Sequence, residues 1–290
     1  MSEKLLNGKA IYSPKGKAGE YAKYACNFYL GCSNDCDYCY CKRGLLGHAM
    51  GAPVATLKKC FKDEAHAFDV FRKEVKANLE VLRKHGLFFT FTSDPMLDNT
   101  RQLTINAVGH AVSFGIPCKI LTKRADFIDY LPGEWFVNEW YKSRIAFGFT
   151  LTGMDEMERG ASTNAERIAA MKRLHIAGFR TFASIEPIIN LNSSTDMIKQ
   201  TIDCCDLYKI GLMSGKRNYT REDVAHFVVN INDMILNHNF DNCEDVKVYW
   251  KDSVLEFLNM DKEYRYNVSP FSWRFDLSCN VDADYNIFNW

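Results

Sequence analysis

Strand-like and helix-like stretches alternate along most of this chain, and that alternation limits the possible folds more than any other feature. The predicted helices end at Gly86, Gly115 and Gly178, as helices often do at glycine. Runs of β-branched and aromatic residues predict six strands, at 24–31, 87–94, 117–124, 144–151, 180–189 and 207–213. Strands that alternate with helices pair in parallel through right-handed crossovers, so we expect an α/β fold.

The predicted helices each carry an apolar face. One helix stops at Gly86 and places five apolar residues on one face, namely Phe68, Phe71, Val75, Leu79 and Leu82. The next repeats the pattern with Leu103, Ala107, Ala111 and Phe114. A third opens at Thr163, which can form a capping box with Glu166. About six such units suit an open partial barrel or a doubly wound sheet, and both place ligands at the carboxyl ends of the strands.

The pattern changes after residue 215. The stretch "REDVAHFVVNINDMILNHN" predicts a helix behind a Thr220 cap, and "VKVYWKDS" predicts one more strand. The last thirty residues are aromatic and irregular. We therefore expect an N-terminal extension at 1–19, a core at 20–215, and a C-terminal helix and appendage at 216–290 that pack on the core.

Composition and charge argue against several classes of function. Lys plus Arg and Asp plus Glu each number 36, so no net field directs the molecule toward nucleic acid or an anionic membrane. The N-terminus lacks the apolar core of a secretory signal, and no apolar run approaches the roughly eighteen residues of a membrane span. We expect a cytoplasmic protein without a membrane partner. Its 11 cysteines are therefore expected to be reduced thiols or metal ligands rather than disulfides.

Four cysteines crowd into "GCSNDCDYCYC", directly after the first predicted strand. Cys32, Cys36 and Cys39 can hold one iron–sulfur cluster in a compact loop, and three ligands on four irons leave one iron open for chemistry. Three other interpretations stay open. Cys41 can complete a structural zinc site, or it can be the fourth ligand of a cluster that only transfers electrons. The cysteines can also be clustered by chance.

The stretch "NFYLGCSNDCDYCYC" resembles the N-terminal motif of radical S-adenosylmethionine (radical SAM) enzymes, C-x3-C-x-aromatic-C. More narrowly, it is similar to the branch of spore photoproduct lyase-like, or DNA repair photolyase-like, proteins. The resemblance covers about residues 20 to 215 and continues in "FTSDP", "ILTKR", "FTLTGMDEMERGAS" and "SIEPII".

This resemblance implies a partial (β/α)6 TIM-like barrel of radical SAM type with a short C-terminal appendage. Cys32, Cys36 and Cys39 would bind a [4Fe–4S] cluster whose open iron chelates S-adenosylmethionine. Reductive cleavage of that molecule would give a 5′-deoxyadenosyl radical that takes hydrogen from an unidentified substrate. The resemblance also implies an external one-electron reductant such as flavodoxin or ferredoxin.

The resemblance further implies roles for residues at the strand ends. Tyr38 would lie near the adenine, and Thr92, Ser93 and Asp94 match the place where the family contacts the methionine amino group. Ser184 and Glu186 alternate on a strand, so both can face one interior, where a carboxylate needs a ligand or a cationic partner. Three weaker candidates for cofactor contacts are Lys123, Thr150 and Arg167. Salt bridges explain the presence of the two charged residues, Lys123 and Arg167, equally well.

One departure from the lyase pattern concerns hydrogen return. The lyase carries a cysteine directly before its T-S-D segment, and the matching residue here is Phe91, which has no S–H to donate. Tyr40 matches a tyrosine of the lyase and is a catalytic candidate. Either Cys118 or Cys41 replaces the missing thiol, or the substrate differs, which we favour. Nucleic acid stays an open substrate class that the neutral net charge does not favour.

Overall fold

The computed structural model describes residues 4–43, 47, 50–215, 217–242 and 245–262. Its strands are β1 Ile11–Tyr12, β2 Ala25–Cys26, β3 Tyr29–Leu30, β4 Thr56–Leu57, β5 Leu87–Phe89, β6 Cys118–Thr122, β7 Ile145–Thr150, β8 Arg180–Ile188, β9 Leu207–Leu212 and β10 Lys247–Trp250. Its helices are α1 Glu64–Ala77, α2 Leu79–His85, α3 Arg101–Ser113, α4 Gly133–Val137, α5 Glu139–Lys142, α6 Asn164–Ile176, α7 Leu191–Thr201, α8 Arg221–Asn242 and α9 Asp252–Leu258. Short 3₁₀ turns lie at Gly16–Ala18, Tyr40–Lys42, Asp126–Tyr130, Asp155–Met157 and Ile202–Cys204.

One eight-stranded sheet organises the chain, in the order β1-β2-β5-β6-β7-β8-β9-β10. Within this sheet of the described residues, β1 pairs with β2 in antiparallel fashion, and every other neighbouring pair is parallel. The predicted α/β fold with a parallel sheet is confirmed. The strand predicted in "VKVYWKDS" is present as β10, which pairs in parallel with β9. The proposed domain boundaries stay a prediction, although β1 and β10 bring both flanking segments into the sheet.

Two predicted strands are shorter than expected. The stretch 24–31 divides into β2, in the main sheet, and β3, which pairs with β4 in a separate two-stranded sheet. Asn27 lies at the division, and its side-chain oxygen accepts hydrogen bonds from the Thr90 hydroxyl and the Phe91 amide. Because Asn27 binds that part of the neighbouring segment, β5 ends at Phe89 and residues 90–94 form a loop.

The helices follow the predicted apolar faces with one break and one exception, since Phe114 lies just after α3 and is exposed. The helix expected up to Gly86 divides into α1 and α2 at Asn78, whose backbone leaves the helical region and whose side chain donates to the Glu74 carbonyl (2.9 Å). The Thr163–Glu166 capping box is present at the start of α6. Thr220 caps α8, since its hydroxyl accepts the Asp223 amide hydrogen bond (3.1 Å).

One face of the sheet carries a separate apolar cluster, whose members come from the strands between β2 and β10 and from the segment just before β2. The cluster consists of Tyr21, Ala22, Ala25, Phe88, Ala146, Phe182, Leu207 and Tyr249. Gly148 lies beside the Phe182 ring and leaves space for it. The larger core lies between the sheet and the helices, with Phe71 and Val75 of α1 and Leu103 of α3 among its buried residues. None of the described helices combines the length and apolar character needed to cross a membrane.

We predict that Gly148→Ala destabilises the protein by about 1–3 kcal/mol through overpacking. The added Cβ would lie 2.1 Å from Phe182 Cζ, inside a buried apolar cluster. Gly109→Ala in α3 is the matched control, since its Cβ would meet Trp135 at an ordinary 3.6 Å. Urea unfolding measures both. Equal stability of Gly148→Ala and the unmodified protein would contradict this packing.

Candidate active site

A cavity of about 630 Å³ opens where the parallel strands end. Its walls come from the cysteine loop, from the segments that follow β5, β6, β9 and β10, and from residues of β7 and β8 themselves. Every site residue predicted from the sequence lines this cavity except Arg167, and those that line it are Cys32, Cys36, Tyr38, Cys39, Tyr40, Thr92, Ser93, Asp94, Lys123, Thr150, Ser184 and Glu186. The general placement of ligands at the carboxyl edge of a parallel sheet therefore holds for the geometry of this chain.

The cysteine loop begins at Gly31, where the backbone has φ +86 and any side chain would lie 2.5 Å from the Val54 carbonyl oxygen. Glycine is needed there for both reasons. The Cys32 amide donates to the Ala52 carbonyl (3.0 Å), which fixes the start of the loop. All cysteines in the described residues carry free thiols, so the loop is not tied by a disulfide.

The segment that follows β7 holds the cysteine loop from the other side. The Asp37 amide donates to the Met157 carbonyl (2.9 Å), and the Gly160 amide donates to the Asn34 carbonyl (3.1 Å). A Cβ on Gly160 would lie 1.9 Å from the Ser33 carbonyl oxygen, so glycine is required for this approach. The two segments therefore pack backbone to backbone.

Glu158 lies in this contact and is buried, with 2% of its surface exposed. Its carboxylate accepts hydrogen bonds from Tyr38 and Arg167, and Lys123 Nζ lies 3.9 Å away. Burial opposes ionisation of this carboxyl, but the charges of Lys123 and Arg167 and the bonds from Arg167 and Tyr38 outweigh it and keep the pKa of Glu158 below its ordinary value. Glu158 thus anchors Tyr38, the aromatic residue inside the cysteine motif.

Arg167 is fully buried in α6 and reaches this carboxylate rather than the cavity. It also donates to the Thr150 carbonyl (2.5 Å) at the end of β7. A buried carboxylate needs a cation, and Arg167 supplies it from behind the cavity wall. The salt-bridge explanation therefore accounts for the position of Arg167. Sequence reasoning missed Glu158, because nothing in "GMDEMERG" distinguishes it from the acidic residues beside it.

Asp94 fixes the other side of the loop. Its carboxylate accepts hydrogen bonds from Asn34 Nδ2 (2.7 Å), Thr122 Oγ1 (2.6 Å) and the amides of Lys123 (2.7 Å) and Met96 (2.9 Å). These four donors belong to the cysteine loop, to the end of β6 and to the segment after β5. Asp94 therefore joins three pieces of the cavity wall.

The three predicted cluster cysteines have different thiol chemistry. A hydrogen bond from the Cys41 thiol, together with the nearby backbone and Lys123, lowers the pKa of Cys39 to about 6 despite its burial. Burial, and then the charge of Asp94, raises the pKa of Cys32 to about 12. Burial also raises the pKa of Cys36. The Cys39 thiol therefore ionises more readily than the thiols of Cys32 and Cys36, which would release protons on binding a metal.

Across the part of the chain that the structure describes, no three Cys, His, Asp or Glu side chains are gathered closely enough to hold a single metal ion. A [4Fe–4S] cluster needs a different arrangement from that around a single ion, because each cysteine binds a different iron and the thiolates do not converge on one point. Three thiols on one loop that lines a cavity fit that donor set.

Ser184 and Glu186 of β8 both face the interior, as their alternation predicted. Tyr21 Oη lies 2.7 Å from Ser184 Oγ and donates to Glu186 Oε2 (2.8 Å), and Lys251 Nζ donates to the same oxygen (2.5 Å). The sequence predicted either a ligand or a cationic partner for this carboxylate, and Lys251 is such a cation. From the residues that the structure describes, Glu186 Oε1 accepts no hydrogen bond, and it lies over Gly211.

Sequence reasoning missed Tyr21 and Lys251. Lys251 directly follows β10, so the strand-end rule could have singled it out once that strand was included in the sheet. Tyr21 precedes β2, and its only signal was its aromatic character.

The remaining candidates lie around the loop after β5. Tyr40 is exposed, and its hydroxyl donates to the Phe91 carbonyl. Thr92 Oγ1 donates to the Tyr29 carbonyl (2.7 Å). Of the two thiols considered for hydrogen return, Cys41 lines the cavity, with its Sγ 3.8 Å from the Phe91 carbonyl oxygen, whereas Cys118 is fully buried and is not in the lining.

No protein-family model matches the sequence, and no curated protein matches it. Crystal structures of Streptococcus suis SuiB superpose on it with low scores: SuiB alone gives a TM-score of 0.45 at 10% identity over 63% of this chain. SuiB bound to S-adenosylmethionine gives 0.45 at 11% identity over 63%, and SuiB bound to precursor peptide SuiA gives 0.46 at 9% identity over 66%. The chain spans 44% of the length of SuiB.

We predict that Arg167→Met destabilises the protein by roughly 3–5 kcal/mol, because it removes the cation that hydrogen-bonds to the buried Glu158 carboxylate. The double variant Arg167→Met/Glu158→Gln should recover part of that loss, since it removes the unpaired charge. Urea unfolding of the unmodified protein, the single variants and the double variant measures the coupling. Additive effects of the two substitutions would show that the pair does not act as a unit.

Proposed function

We propose that this chain is a radical SAM enzyme with a partial (β/α)6 barrel. The observation that carries the proposal is that the cysteines and strand-end residues of the motif, far apart in sequence, line one cavity at the carboxyl edge of a parallel sheet. The spore photoproduct lyase-like branch is the finer part of the proposal, and it depends on the sequence motifs alone. The cytoplasmic location also stays a prediction.

Cys32, Cys36 and Cys39 would hold a [4Fe–4S] cluster that leaves one iron open for S-adenosylmethionine. When bound, this group supplies the electron that splits S-adenosylmethionine into methionine and a 5′-deoxyadenosyl radical, which takes hydrogen from a substrate. The reductant is external, and a flavodoxin or ferredoxin has the required chemistry.

The chain's own residues would orient the cofactor and keep the cavity ordered. The Tyr38 ring lines the cavity, and its hydroxyl is fixed on Glu158, so the ring is available to an adenine. Glu186 has one oxygen fixed by Tyr21 and Lys251, which leaves Oε1 to accept a hydrogen bond from a bound ligand. Thr92, Ser93 and Thr150 add hydroxyl groups to the same lining.

Two alternatives from other classes remain as outcomes of the test. A zinc-stabilised binding module would need four ligands around one ion, and the described side chains are not arranged in that way. An electron-transfer protein would need Cys41 as a fourth cluster ligand. Cys41 lines the cavity close to Cys39, so its position does not decide between these functions.

The test is reductive cleavage of S-adenosylmethionine. We expect anaerobically purified protein, reconstituted with iron and sulfide and then reduced, to release 5′-deoxyadenosine that chromatography detects. Cys32→Ala, Cys36→Ala and Cys39→Ala should each lose cluster assembly and this product, whereas Cys41→Ala should keep both. Cys118→Ala is the control, because that buried thiol lies outside the cavity lining.

A protein that assembles a full cluster but releases no 5′-deoxyadenosine would favour electron transfer. One tightly held zinc per chain with no iron uptake would favour the binding module. Loss of activity in Cys41→Ala, with Cys39 dispensable, would overturn the ligand assignment.

We predict that Glu186→Ala weakens use of S-adenosylmethionine by about tenfold, the effect of losing one hydrogen bond to a charged carboxylate. Iron content should not change, because Glu186 is not among the proposed cluster ligands. The measurement is the KM for S-adenosylmethionine alongside iron content. Glu80→Ala, on the exposed face of α2, is the control. Unchanged turnover in Glu186→Ala would remove its proposed role.

A further inference from the structure

The mouth of the cavity is more basic than the rest of the molecule. Its lining contains six cationic side chains and three acidic ones, whereas the whole chain has 36 of each sign. The cationic residues are Lys15, Lys17, Lys42, Arg43, Lys123 and Lys251, and the acidic ones are Asp35, Asp94 and Glu186. The net excess of positive charge is local to the cavity.

Each acidic residue of the lining is already engaged. Asp35 pairs with Lys42 (2.5 Å), and Glu186 pairs with Lys251 (2.5 Å). The Asp94 carboxylate accepts four hydrogen bonds from its own surroundings. Lys123 lies 3.9 Å from Glu158 behind the wall. The charges of the acidic groups in the lining are therefore balanced by these contacts.

Three cations remain at the rim. Lys15, Lys17 and Arg43 are exposed, and none of them forms an ion pair with a carboxylate of the described residues. Lys17 Nζ donates to Ser214 Oγ (2.6 Å), and Arg43 Nη1 donates to the Ser214 carbonyl (3.4 Å). Both side chains thus converge on one residue of the loop after β9, and Lys15 lies two positions before Lys17. Two segments of the chain supply these three charges, and Ser214 from a third segment holds Lys17 and Arg43 side by side.

This rim continues into the interior. Lys251 Nζ lies 3.4 Å from the Lys17 carbonyl oxygen and, at its other side, holds Glu186. A molecule that enters past Lys17 and Arg43 would therefore reach the polar groups of β8 next. Cations at the entrance of a cavity attract and orient an anionic ligand.

We propose that the rim formed by Lys15, Lys17 and Arg43 binds one multiply charged anionic group of the substrate, of the phosphate type. The inference rests on the proposed function in one respect, because it takes the cavity as the place where the substrate reacts. Three cations match a group with two or three negative charges better than a single carboxylate. A protein that contacts about 6–10 phosphates of a nucleic-acid backbone needs cations spread along that backbone, whereas this rim offers three cations at one point. The structure thus favours a small anionic substrate over a polymer.

The test is calorimetric titration of the full-length protein with inorganic pyrophosphate in a metal-free, low-salt buffer. Lys15→Met/Lys17→Met/Arg43→Met should weaken pyrophosphate binding by at least about tenfold, because charge-assisted hydrogen bonds are lost. The matched control is Lys59→Met/Lys73→Met/Lys199→Met, which removes three exposed positive charges away from the cavity. This control should bind like the unmodified protein, and acetate should bind far more weakly than pyrophosphate.

The proposal is overturned if the unmodified protein does not bind pyrophosphate, if the rim and control variants weaken it equally, or if acetate binds as well. It is also overturned if single-stranded DNA binds through the rim and pyrophosphate does not compete, since the mouth would then serve a polymer. Thermal unfolding should give the same midpoint for both triple variants, as all six residues are exposed. The titration uses neither cluster nor S-adenosylmethionine, so its result and the 5′-deoxyadenosine assay can fail independently.

Discussion

The carboxylate of Glu158 is buried in the wall of the cavity, and a charge in that position must be paired where it lies. Its partners come from different parts of the fold: Tyr38 from the cysteine loop, Arg167 from α6 and Lys123 from the end of β6. The need to pair this charge therefore fixes the positions of the cysteine loop, α6 and the end of β6 relative to one another. If the cysteine loop moved away from the sheet, the ionised Glu158 carboxylate would lose its hydrogen bond from Tyr38 or become exposed.

Asp94 repeats this arrangement on the opposite side with neutral donors. Asn34 reaches it from the cysteine loop, and Thr122 and the Lys123 amide reach it from β6. Lys123 thus takes part in both networks, through its backbone in one and its side chain in the other. The loop is held at two points on either side of Cys36, and close backbone contact at Gly160 completes the attachment. A loop held in this way can present thiols in fixed positions without a disulfide.

Local pattern in the sequence was enough to predict the parts of this structure that depend on nearest neighbours. The alternation of strand and helix predicted the parallel sheet, and the Thr163–Glu166 spacing predicted a cap that is present. Alternation along the strand placed Ser184 and Glu186 on one side of β8 and predicted a ligand or a cation beside the carboxylate. The pattern could not identify that cation as Lys251, because the pairing joins residues 65 positions apart.

The same limit explains why Glu158 and the break at Asn78 were missed. An acidic residue in a polar loop has no local mark of burial, since its burial depends on Arg167 arriving from the following helix. Asn78 interrupts a helix because its side chain bonds to the Glu74 carbonyl, and the apolar periodicity of the flanking residues continues across the break. Both are consequences of contacts that periodicity does not encode.

The two ends of the sheet meet through side chains rather than through strand pairing. The hydrogen-bonded order that the described residues form runs from β1 to β10 and does not return on itself. Yet the Asp252 amide donates to Glu20 Oε1 (2.8 Å), and Lys251 lies 4.5 Å from the centre of the Tyr21 ring. Lys209 of β9 also lies over both Tyr21 (4.8 Å) and Tyr249 (4.0 Å).

Residues before β2 and after β10 therefore share one wall of the cavity, and neither can build it alone. The segments at the two ends of the chain are therefore part of the site. The segment before β2 brings Lys15 and Lys17 to the rim, and the segment after β10 brings Lys251 to Glu186. Because side chains rather than backbone pairing join these two segments, a gap between strands remains in this wall of the cavity. This gap is the seam between the segment before β2 and the segment after β10. The substrate entrance that we infer at Lys17 lies beside that seam, where the wall depends on charge and hydrogen bonding instead of on the sheet.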